Sequence, residues 1–447
     1  MLEDLVEIKG HKLTCVCFNT EGTLLACGTT EGKLVLVDFE TRGLSKDYGK
    51  VHSLPITCAS FSEDGRFLLT TAGETDKAVV FDLREEKVAC TTTLAQNCTF
   101  SKLHPDGKCF LAAYAQGPPE LHYLEPSGAS EAEESLRVSR TVAVRPATSQ
   151  EPEEGGANPV VCNFIKDGDL IVLGNVCGHP GDLQIVRTSG EADGFSLVAE
   201  YTESAGSQNC SGVLGLTENA FGNMLALNCV GKTTQGFVRV LHLGEVENTG
   251  GQEVPLRLKC SKVADFYDPA QMSKGSCLGW ATFSSDSDYV LATSGIESKH
   301  HISVWNLSTH KLEHVLEGDD SGRSGRGGHG KLPGVWHMAW CPLKALVVTC
   351  GTDGKLYVWT KKYQENWSCF APGFRELEKN EEYVEREDEF DLCDDDENQK
   401  ETMAGGSRGS LDVVVDITGG RGLGPSKRKH QAIILGELVN NHKKASC

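Results

Sequence analysis

Short apolar segments recur through the first 360 residues and are separated by polar turns. Each segment is four to seven residues long, is rich in β-branched and aromatic side chains, and is bounded by turns that contain Gly or Asn. This pattern is typical of short antiparallel strands joined in a meander. The clearest copies of the repeated unit are Thr14–Phe39, Thr57–Leu83, Leu278–Leu307 and Val335–Thr360.

Three weaker copies fill the stretch between the second unit and the sixth. They are Cys98–Tyr114, Val160–Asn175 with Leu183–Val186, and Val213–Asn228 with Phe237–Leu243. Periods of about 40–65 residues with four short strands each are the signature of a β-propeller. A blade buries its faces only against its neighbours, so a closed ring leaves no free end. The sequence therefore predicts an all-β fold, a seven-bladed propeller over residues 1–362.

These units resemble the repeats of the WD-repeat family. The positions of that family's Gly-His and Trp-Asp landmarks are held here by Gly10-His11, Val51-His52, Asp38, Asp82, Trp305 and Trp359. Val37 and Phe81 replace tryptophan, and blades three to five lack both landmarks. The resemblance implies that an N-terminal strand, Leu5–Ile8, completes the last blade of the ring.

Three insertions interrupt the repeat period. Ser127–Ala157 is rich in Ser, Glu, Pro and Gly and is predicted to be a loop, and Glu247–Lys274 is predicted to be a polar excursion between blades five and six. Gly318–Lys331 is a third, Gly-rich loop. Its cations are Arg323, Arg326 and Lys331. Two interpretations stay open for it, a variable solvated loop or a salt-sensitive contact to the phosphates of nucleosomal DNA.

The repeats carry no recognisable catalytic or metal-binding signature. They contain no Gly-x-Ser-x-Gly nucleophile elbow, no complete phosphate-binding loop and no His-Glu-x-x-His, and the chain has no C-x-x-C pair. His11 and His52 are interpreted as members of structural hydrogen-bond networks, and His104 as a turn residue. His300 and His301 are adjacent, so in a strand their side chains face opposite sides. We therefore expect a protein that is not an enzyme and needs no cofactor or metal.

The cysteines and the hydropathy indicate the compartment. Many of the 18 cysteines lie inside apolar segments, where a reducing environment leaves them as small buried hydrophobic residues. No apolar run reaches the roughly 18–20 residues of a membrane span, and the first ten residues are too charged for a signal peptide. An intracellular protein without a membrane partner is expected.

Negative charge is concentrated behind the repeats. Glu376–Glu397 holds thirteen acidic residues against two basic ones, a net charge of −11 out of −20 for the chain. Glu365–Leu377 carries aromatic anchors, and Glu381–Asp391 alternates aromatic side chains with carboxylates. Both are predicted to be docking segments that fold on binding. Packing of the first segment against the propeller and a solubilising role for the second are the open alternatives.

Two further motifs follow in the tail. Leu411–Ile417 is a short β-prone island between glycines, either a linear motif that adds to a partner surface or an incidental edge strand. Lys427–His430 is a basic cluster, and two interpretations stay open for it, a nuclear-localisation signal or one of the basic clusters that are common in proteins. We expect a nuclear location.

The segments ENWSCFAPGFREL and EEYVEREDEFD resemble the hinge of the retinoblastoma-binding protein five family, the WD-propeller subunit of COMPASS and mixed-lineage-leukaemia histone H3 lysine-4 methyltransferase complexes. Gly22–Leu44 is similar to that family's first blade, and the order of propeller, aromatic segment, acidic box and Asp-Val motif also matches. The resemblance implies a scaffold that activates the enzyme, with an activation and docking region at 363–397 and a flexible tail at 398–447.

The same resemblance implies three partner contacts. The SET-domain subunit would contact Glu365, Asn366, Trp367, Phe370, Pro372, Phe374 and Leu377. A SPRY-domain subunit would contact Glu382, Tyr383, Glu385, Arg386, Glu387, Asp388, Glu389, Phe390 and Asp391. A small WD-propeller subunit would contact Asp412, Val413 and Val415. A WD-repeat adaptor of another complex, such as a ubiquitin-ligase substrate receptor, is the alternative function, and a propeller enzyme is the third.

Overall fold

Antiparallel strands build the described part of the chain. The computed structural model describes residues 2–6, 8, 11–73, 77–94, 97–127, 136–144, 160–175, 181–188, 195–202, 209–232, 235–245, 258–269, 278–295, 300–317 and 334–360. These residues hold 28 strands and one short 3₁₀ turn, Lys166–Gly168. All of them belong to a compact unit that ends at Glu365.

The described strands form seven four-stranded sheets, each of which is one blade of a propeller. Blade 1 holds β2 (Leu13–Phe18), β3 (Leu24–Thr29), β4 (Lys33–Asp38) and β5 (Gly43–Lys50). Blade 2 holds β6 (Ile56–Phe61), β7 (Phe67–Ala72), β8 (Lys77–Asp82) and β9 (Lys87–Thr93). Blade 3 holds β10 (Cys98–Leu103), β11 (Cys109–Tyr114), β12 (Glu120–Pro126) and β13 (Leu136–Ala143). Blade 4 holds β14 (Val161–Ile165), β15 (Leu170–Gly174), β16 (Leu183–Thr188) and β17 (Phe195–Tyr201).

The remaining three blades complete the ring. Blade 5 holds β18 (Cys210–Glu218), β19 (Met224–Gly231), β20 (Phe237–Glu245) and β21 (Leu258–Tyr267). Blade 6 holds β22 (Ala281–Phe283), β23 (Tyr289–Thr293), β24 (His301–Asn306) and β25 (Lys311–Glu317). Blade 7 holds β26 (Val335–Trp340), β27 (Leu346–Gly351), β28 (Leu356–Thr360) and, as its outer strand, β1 (Leu2–Val6). The predicted seven-bladed propeller is confirmed.

The first strand of every blade lies on the inside of the ring. β2, β6, β10, β14, β18, β22 and β26 each contact the equivalent strand of the next blade, and β26 contacts β2 to close the circle. The apolar cores lie between neighbouring blades. One core joins Leu34 of blade 1 to Val79 of blade 2, and another joins Leu13 of blade 1 to Val348 of blade 7. Because both faces of a blade are covered, its middle strands are apolar almost throughout, as in the fully buried β11.

The N-terminal strand closes the ring, with different bounds from those predicted. β1 pairs antiparallel with β28, Leu5 opposite Tyr357 and Val6 opposite Leu356. The strand is Leu2–Val6 and not the predicted Leu5–Ile8. The difference follows from the register, since Val6 is opposite Leu356, the first residue of β28, and the ladder has no partner residues beyond that point. Hydrogen bonds between the two ends of the chain's propeller therefore hold the circle shut.

Every outer strand is joined to its blade through a β-bulge. The ladder between the third and the outer strand shifts register at Leu36/Val37, Val80/Phe81, Tyr123/Leu124, Ile185/Val186, Val240/Leu241 and Val304/Trp305. In blade 7 the shift falls between Leu2 and Asp4. A bulge increases the local twist and disrupts the exposed edge, which disfavours pairing with a strand of another molecule.

Asp and Asn side chains hold turns within the blades where the family landmarks stand. Asp82 accepts hydrogen bonds from the backbone N–H of Arg84 and Glu85 at 3.0 and 3.1 Å and forms an ion pair with Arg66 at 2.8 Å. Its carboxylate therefore holds the turn between the third and fourth strands of blade 2. Asp38 caps the equivalent turn of blade 1 and Asn306 that of blade 6.

The histidines take structural positions. His52 lies 3.1 Å from the Thr70 hydroxyl, and His104 lies 2.6 Å from the Asp106 carboxylate within its turn. His300 Nε2 lies 2.7 Å from the Thr349 hydroxyl of blade 7, whereas His301 Nε2 lies 2.5 Å from Asp268, which follows blade 5. The predicted opposite orientation of the two adjacent histidines is confirmed. His11 lies 3.5 Å from Asp47.

Two predicted insertions are wrong in part. The segment Ser127–Ala157 contains the outer strand of blade 3, Leu136–Ala143, and Glu247–Lys274 contains that of blade 5, Leu258–Tyr267. An outer strand packs on its blade but turns much of its surface to solvent, so its sequence is polar enough to look like a loop. The third insertion, Gly318–Lys331, lies outside the described residues.

Candidate functional site: the central channel

The partner contacts predicted from the sequence fall outside the described residues. This holds for the SET-subunit set (Glu365, Asn366, Trp367, Phe370, Pro372, Phe374 and Leu377) and for the SPRY-subunit set between Glu382 and Asp391. It holds equally for Asp412, Val413 and Val415 and for the loop cations Arg323, Arg326 and Lys331. These assignments stay predictions.

The seven inner strands surround a channel, and they carry few charges. All seven are described, and their ionisable side chains other than cysteine are Lys102 on β10, Glu218 on β18 and His337 on β26. Lys102 and His337 belong to blades 3 and 7, which are not neighbours in the ring. Nevertheless the charge of Lys102 acts on His337.

His337 is neutral at physiological pH. Burial, together with the positive charge of Lys102, lowers the pKa of His337 to about 4. Its Nδ1 atom is buried and has no hydrogen-bond partner among the described residues. The ring of Trp280 lies against the imidazole, with 4.0 Å between the ring centroids. The uncharged imidazole of His337 therefore packs against the Trp280 ring.

Two tryptophans stand at the start of the inner strands of blades 6 and 7. The indole N–H of Trp280 donates a 2.6 Å hydrogen bond to the backbone carbonyl of Trp336, which locks the two blades together. The register between β26 and β27 shifts between Val335 and His337, so Trp336 has no partner residue and forms a β-bulge. Trp336 is 40% exposed. We call this end of the channel the tryptophan opening.

A close backbone approach positions Trp280. Two backbone hydrogen bonds join this segment to Thr293. The N–H of Gly279 donates to the Thr293 carbonyl, and the N–H of Thr293 donates to the Trp280 carbonyl, each at 2.9 Å. A Cβ atom on Gly279 would lie 2.5 Å from the Thr293 hydroxyl and 2.8 Å from the Ser294 carbonyl oxygen. A side chain has no room there, so glycine allows the bulge that aims Trp280 at blade 7.

The wall of the channel is apolar on one side and hydroxylated on the other. Leu214 occupies a bulge in the middle of β18 on blade 5 and is 52% exposed, so blades 5, 6 and 7 present Leu214, Trp280 and Trp336 in succession. On blades 1 and 3 the bulged residues are Thr14 and Thr99, whose hydroxyls donate to the carbonyls of Ile56 and Ala113 at 2.5 and 3.2 Å. The hydroxyl groups of Thr14 and Thr99 therefore already donate hydrogen bonds within the protein.

Comparisons with known proteins identify the type of chain. The WD40 family model, "WD domain, G-beta repeat", matches residues 3–38, 47–82 and 324–360. Protein RBL of Arabidopsis thaliana is 30% identical over 404 residues, which cover 87% of this chain and 69% of that protein. The retinoblastoma-binding protein homolog 5 of Caenorhabditis elegans is 25% identical over 418 residues, 93% of this chain and 79% of that protein.

The chain belongs to the retinoblastoma-binding protein 5/Swd1 family. A further relative, the "Set1 complex component swd1" of Schizosaccharomyces pombe, is 25% identical over 86% of this chain and 85% of its own length. Among solved structures, the Cps50 (Swd1) β-propeller domain of Myceliophteria thermophila superposes with a TM-score of 0.59 at 23% identity, covering 80% of this chain and 99% of that one. The family resemblance of the sequence is confirmed.

The opposite end of the channel of this family member is more polar. Glu218, at the end of β18, accepts hydrogen bonds from the backbone N–H of Lys166 at 2.9 and 3.0 Å. Burial, aided by the nearby Asp167, raises the pKa of Glu218 to about 7 in spite of those bonds. Phe221 in the following turn is 67% exposed. The carboxyl of Glu218 therefore faces blade 4 and stays only partly ionised at neutral pH.

The described residues hold neither a cluster of metal ligands nor a membrane-spanning helix. They contain no group of three or more His, Cys, Asp and Glu side chains arranged to hold a metal ion. No helix in the described part of this family member is long and apolar enough to cross a membrane. The described cysteines are free thiols, and all except Cys17 and Cys260 are buried.

The sequence did not reveal which residues the inner strands bring to the channel. Trp280 and Trp336 appeared only as strand residues of blades 6 and 7, and Lys102 only as part of a weak repeat. One signal was present, since Lys102 interrupts a first strand whose equivalents in the other blades carry no lysine or arginine. Their convergence on one channel needs the closed ring.

Proposed function

We propose that this chain is a non-catalytic scaffold and activator subunit of a histone H3 lysine-4 methyltransferase complex in the nucleus. The observation that carries the proposal is family membership, since relatives over most of the chain's length are named as a Set1 complex component and as a COMPASS component. The aromatic and acidic segments behind the propeller agree with that role.

The tail connects the propeller to the other subunits in this proposal. Glu365–Leu377 contacts the SET domain, Glu381–Asp391 docks on a SPRY-domain subunit, and Leu411–Ile417 adds to a small WD propeller. A SET domain that exchanges between open and closed forms becomes more active only if its partner binds the closed form more tightly. Anchors on one rigid body also raise the effective concentration of the subunits for one another.

An affinity pull-down from nuclear extract tests the proposal. The baits are the full chain and a version that ends at Thr360. We expect SET-domain and SPRY-domain proteins with the full chain and a clear reduction with the shorter bait. Capture of the same unrelated proteins by both baits, without a SET-domain protein, would contradict the assignment.

A further inference from the structure

A β-bulge brings two arginines to one face of blade 3. In the ladder between β12 and β13, Arg137 is opposite Glu125 and Arg140 is opposite Tyr123. Three residues apart on a regular strand, the two arginine side chains would point to opposite faces. The extra residue of the bulge, Ser139, shifts the register and places both on the face that carries Tyr123 and Glu125. The rim of blade 3 therefore presents two cations, an aromatic ring and a carboxylate together.

The same residues line one concave site of about 550 Å³, which we call the arginine pocket. Its lining is Tyr123, Glu125, Arg137, Val138, Ser139 and Arg140. The guanidinium of Arg140 lies over the ring of Tyr123, 4.5 Å from the ring centroid. Tyr123 packs in turn against the apolar core between blades 3 and 4, which fixes the base of the pocket. Arg137 is exposed and forms no ion pair with Glu125, although the two are opposite each other.

We propose that the arginine pocket binds a phosphorylated side chain in a linear segment of a partner protein. The phosphate is held between the guanidiniums of Arg137 and Arg140, and a basic residue beside the phosphorylated one pairs with Glu125. The pocket lies on the propeller and uses none of the tail contacts of the proposed function, so either can fail without the other.

Two guanidiniums on one face suit a phosphate group. A phosphorylated side chain carries a charge of about −1.5 to −2 at neutral pH and has three acceptor oxygens. Each arginine donates through a planar fork that matches two oxygens at once, so two arginines can serve all three. Stacking on Tyr123 uses the face of the Arg140 guanidinium, whereas hydrogen bonds to a phosphate use its N–H edge. The two contacts of Arg140 are therefore compatible.

Charge decides between a phosphorylated peptide and a nucleic acid. A nucleic-acid strand carries a phosphate at every nucleotide, and a phosphate next to the bound one would meet the carboxylate of Glu125 in the same pocket. The net charge of −20 on the chain also opposes a polyanion. A phosphorylated residue beside a lysine or arginine instead offers an anion to the arginines and a cation to Glu125. The pocket therefore complements a peptide in which the two charges alternate.

Fluorescence anisotropy with labelled peptides tests the proposal on the full chain. The phosphopeptide is acetyl-Ala-Lys-phosphoserine-Ala-Ala-amide, and its reference carries plain serine. We expect the phosphopeptide to bind the wild type at least about tenfold more tightly than the reference, and Arg137→Gln or Arg140→Gln to raise its Kd at least about tenfold, or about 1.4 kcal/mol. Arg137→Lys and Arg140→Lys keep the charge but lose the fork, so their Kd should be intermediate. Glu125→Gln should reduce the preference for this phosphopeptide over one with alanine in place of lysine.

Arg84→Gln is the matched control, because Arg84 is an exposed arginine in the turn between β8 and β9 of blade 2. It should leave every Kd unchanged, and all variants should melt cooperatively near the wild-type temperature. The proposal is overturned if the two serine peptides bind equally, if the phosphopeptide shows no binding at millimolar concentration, or if Arg84→Gln weakens binding as much as Arg137→Gln does. It is also overturned if a short labelled single-stranded DNA binds more tightly than the phosphopeptide and loses affinity in the same variants.

Discussion

Arg239 on β20 and Asp265 on β21 stand directly opposite each other in blade 5. The guanidinium donates two hydrogen bonds to the carboxylate, from Nε to Oδ1 at 2.8 Å and from Nη2 to Oδ2 at 3.0 Å. Arg239 is fully buried. Burial alone would raise the pKa of Asp265, but the bonds from Arg239 and Lys262 outweigh it and hold that pKa below its usual value. A two-pronged pair of this kind fixes both side chains.

Breaking this pair should destabilise the propeller. Asp265→Asn leaves the buried guanidinium without its counter-ion, a change that typically costs about 3–5 kcal/mol. We expect a clearly lower midpoint of urea unfolding, followed by circular dichroism. Replacing both members, as Arg239→Met with Asp265→Leu, should recover most of the loss because no charge is then buried.

Lys262 supplies the control for this experiment. It pairs with the same carboxylate at 2.6 Å but is one-third exposed, so Lys262→Met should cost no more than about 1 kcal/mol. Equal losses for Asp265→Asn and Lys262→Met would show that burial of the arginine does not matter.

Glu218 should make the stability of the propeller depend on pH near neutrality. Its pKa is about 7 in the folded chain and about 4.3 in an unfolded one, so the folded state favours the protonated carboxyl. The stability that the folded state gains from the protonated Glu218 is therefore complete below about pH 4.3 and is lost as the pH rises through about 7. Glu218→Gln cannot ionise. The variant should melt above the wild type at pH 8 and close to it at pH 5.

Thermal melts of both proteins at the two pH values measure this difference. Glu245→Gln is the matched control, because Glu245 lies at the same end of the channel but is mostly exposed and pairs with Lys166 at 3.3 Å. Its melting temperature relative to the wild type should change little with pH. Parallel pH profiles for Glu218→Gln and the wild type would rule out the raised pKa.

The aromatic segment behind the propeller should control enzyme activation. Trp367→Ala combined with Phe370→Ala removes two large anchors, which commonly costs 2 kcal/mol or more at an interface. We expect at least about a tenfold lower rate of histone methylation by the reconstituted complex. The melting temperature of the propeller should not change, because its described blade cores form without these residues. If the complex with the double variant methylates histone at the wild-type rate, that result would count against the activation role.

The acidic box should bind its SPRY-domain partner through charge. Reversal of Glu385, Glu387 and Asp388 to lysine should weaken binding strongly at low salt and less at high salt, where the wild-type attraction is already screened. Titrations at two salt concentrations measure the effect. The same reversal at Asp394, Asp395 and Asp396 changes the net charge equally outside the predicted contact. Equal weakening by both triple variants would mean that only total charge matters.

Local pattern was enough to predict the propeller. Strands such as Leu24–Thr29 and Leu346–Gly351 are apolar along their whole length because neighbouring blades cover both of their faces. Turn residues mark their ends, and seven repeats of the pattern define the ring. The structural role of His52 and the opposite orientation of His300 and His301 followed from the same local logic. Outer strands such as Leu136–Ala143 were not predicted, because a strand with many exposed residues has a polar sequence that resembles a loop.

The channel site depended on the tertiary structure. Lys102 and His337 are separated by 235 positions in the numbering and by several blades, and nothing in either local sequence indicates that the charge of one acts on the other. Only closure of the ring, completed by Leu2–Val6 on β28, brings the inner strands around one channel. The sequence by itself thus determined the fold and family, because these rest on short-range periodicity and motifs. Tertiary structure decided which charges and aromatic side chains meet, because that depends on contacts between residues far apart in the chain.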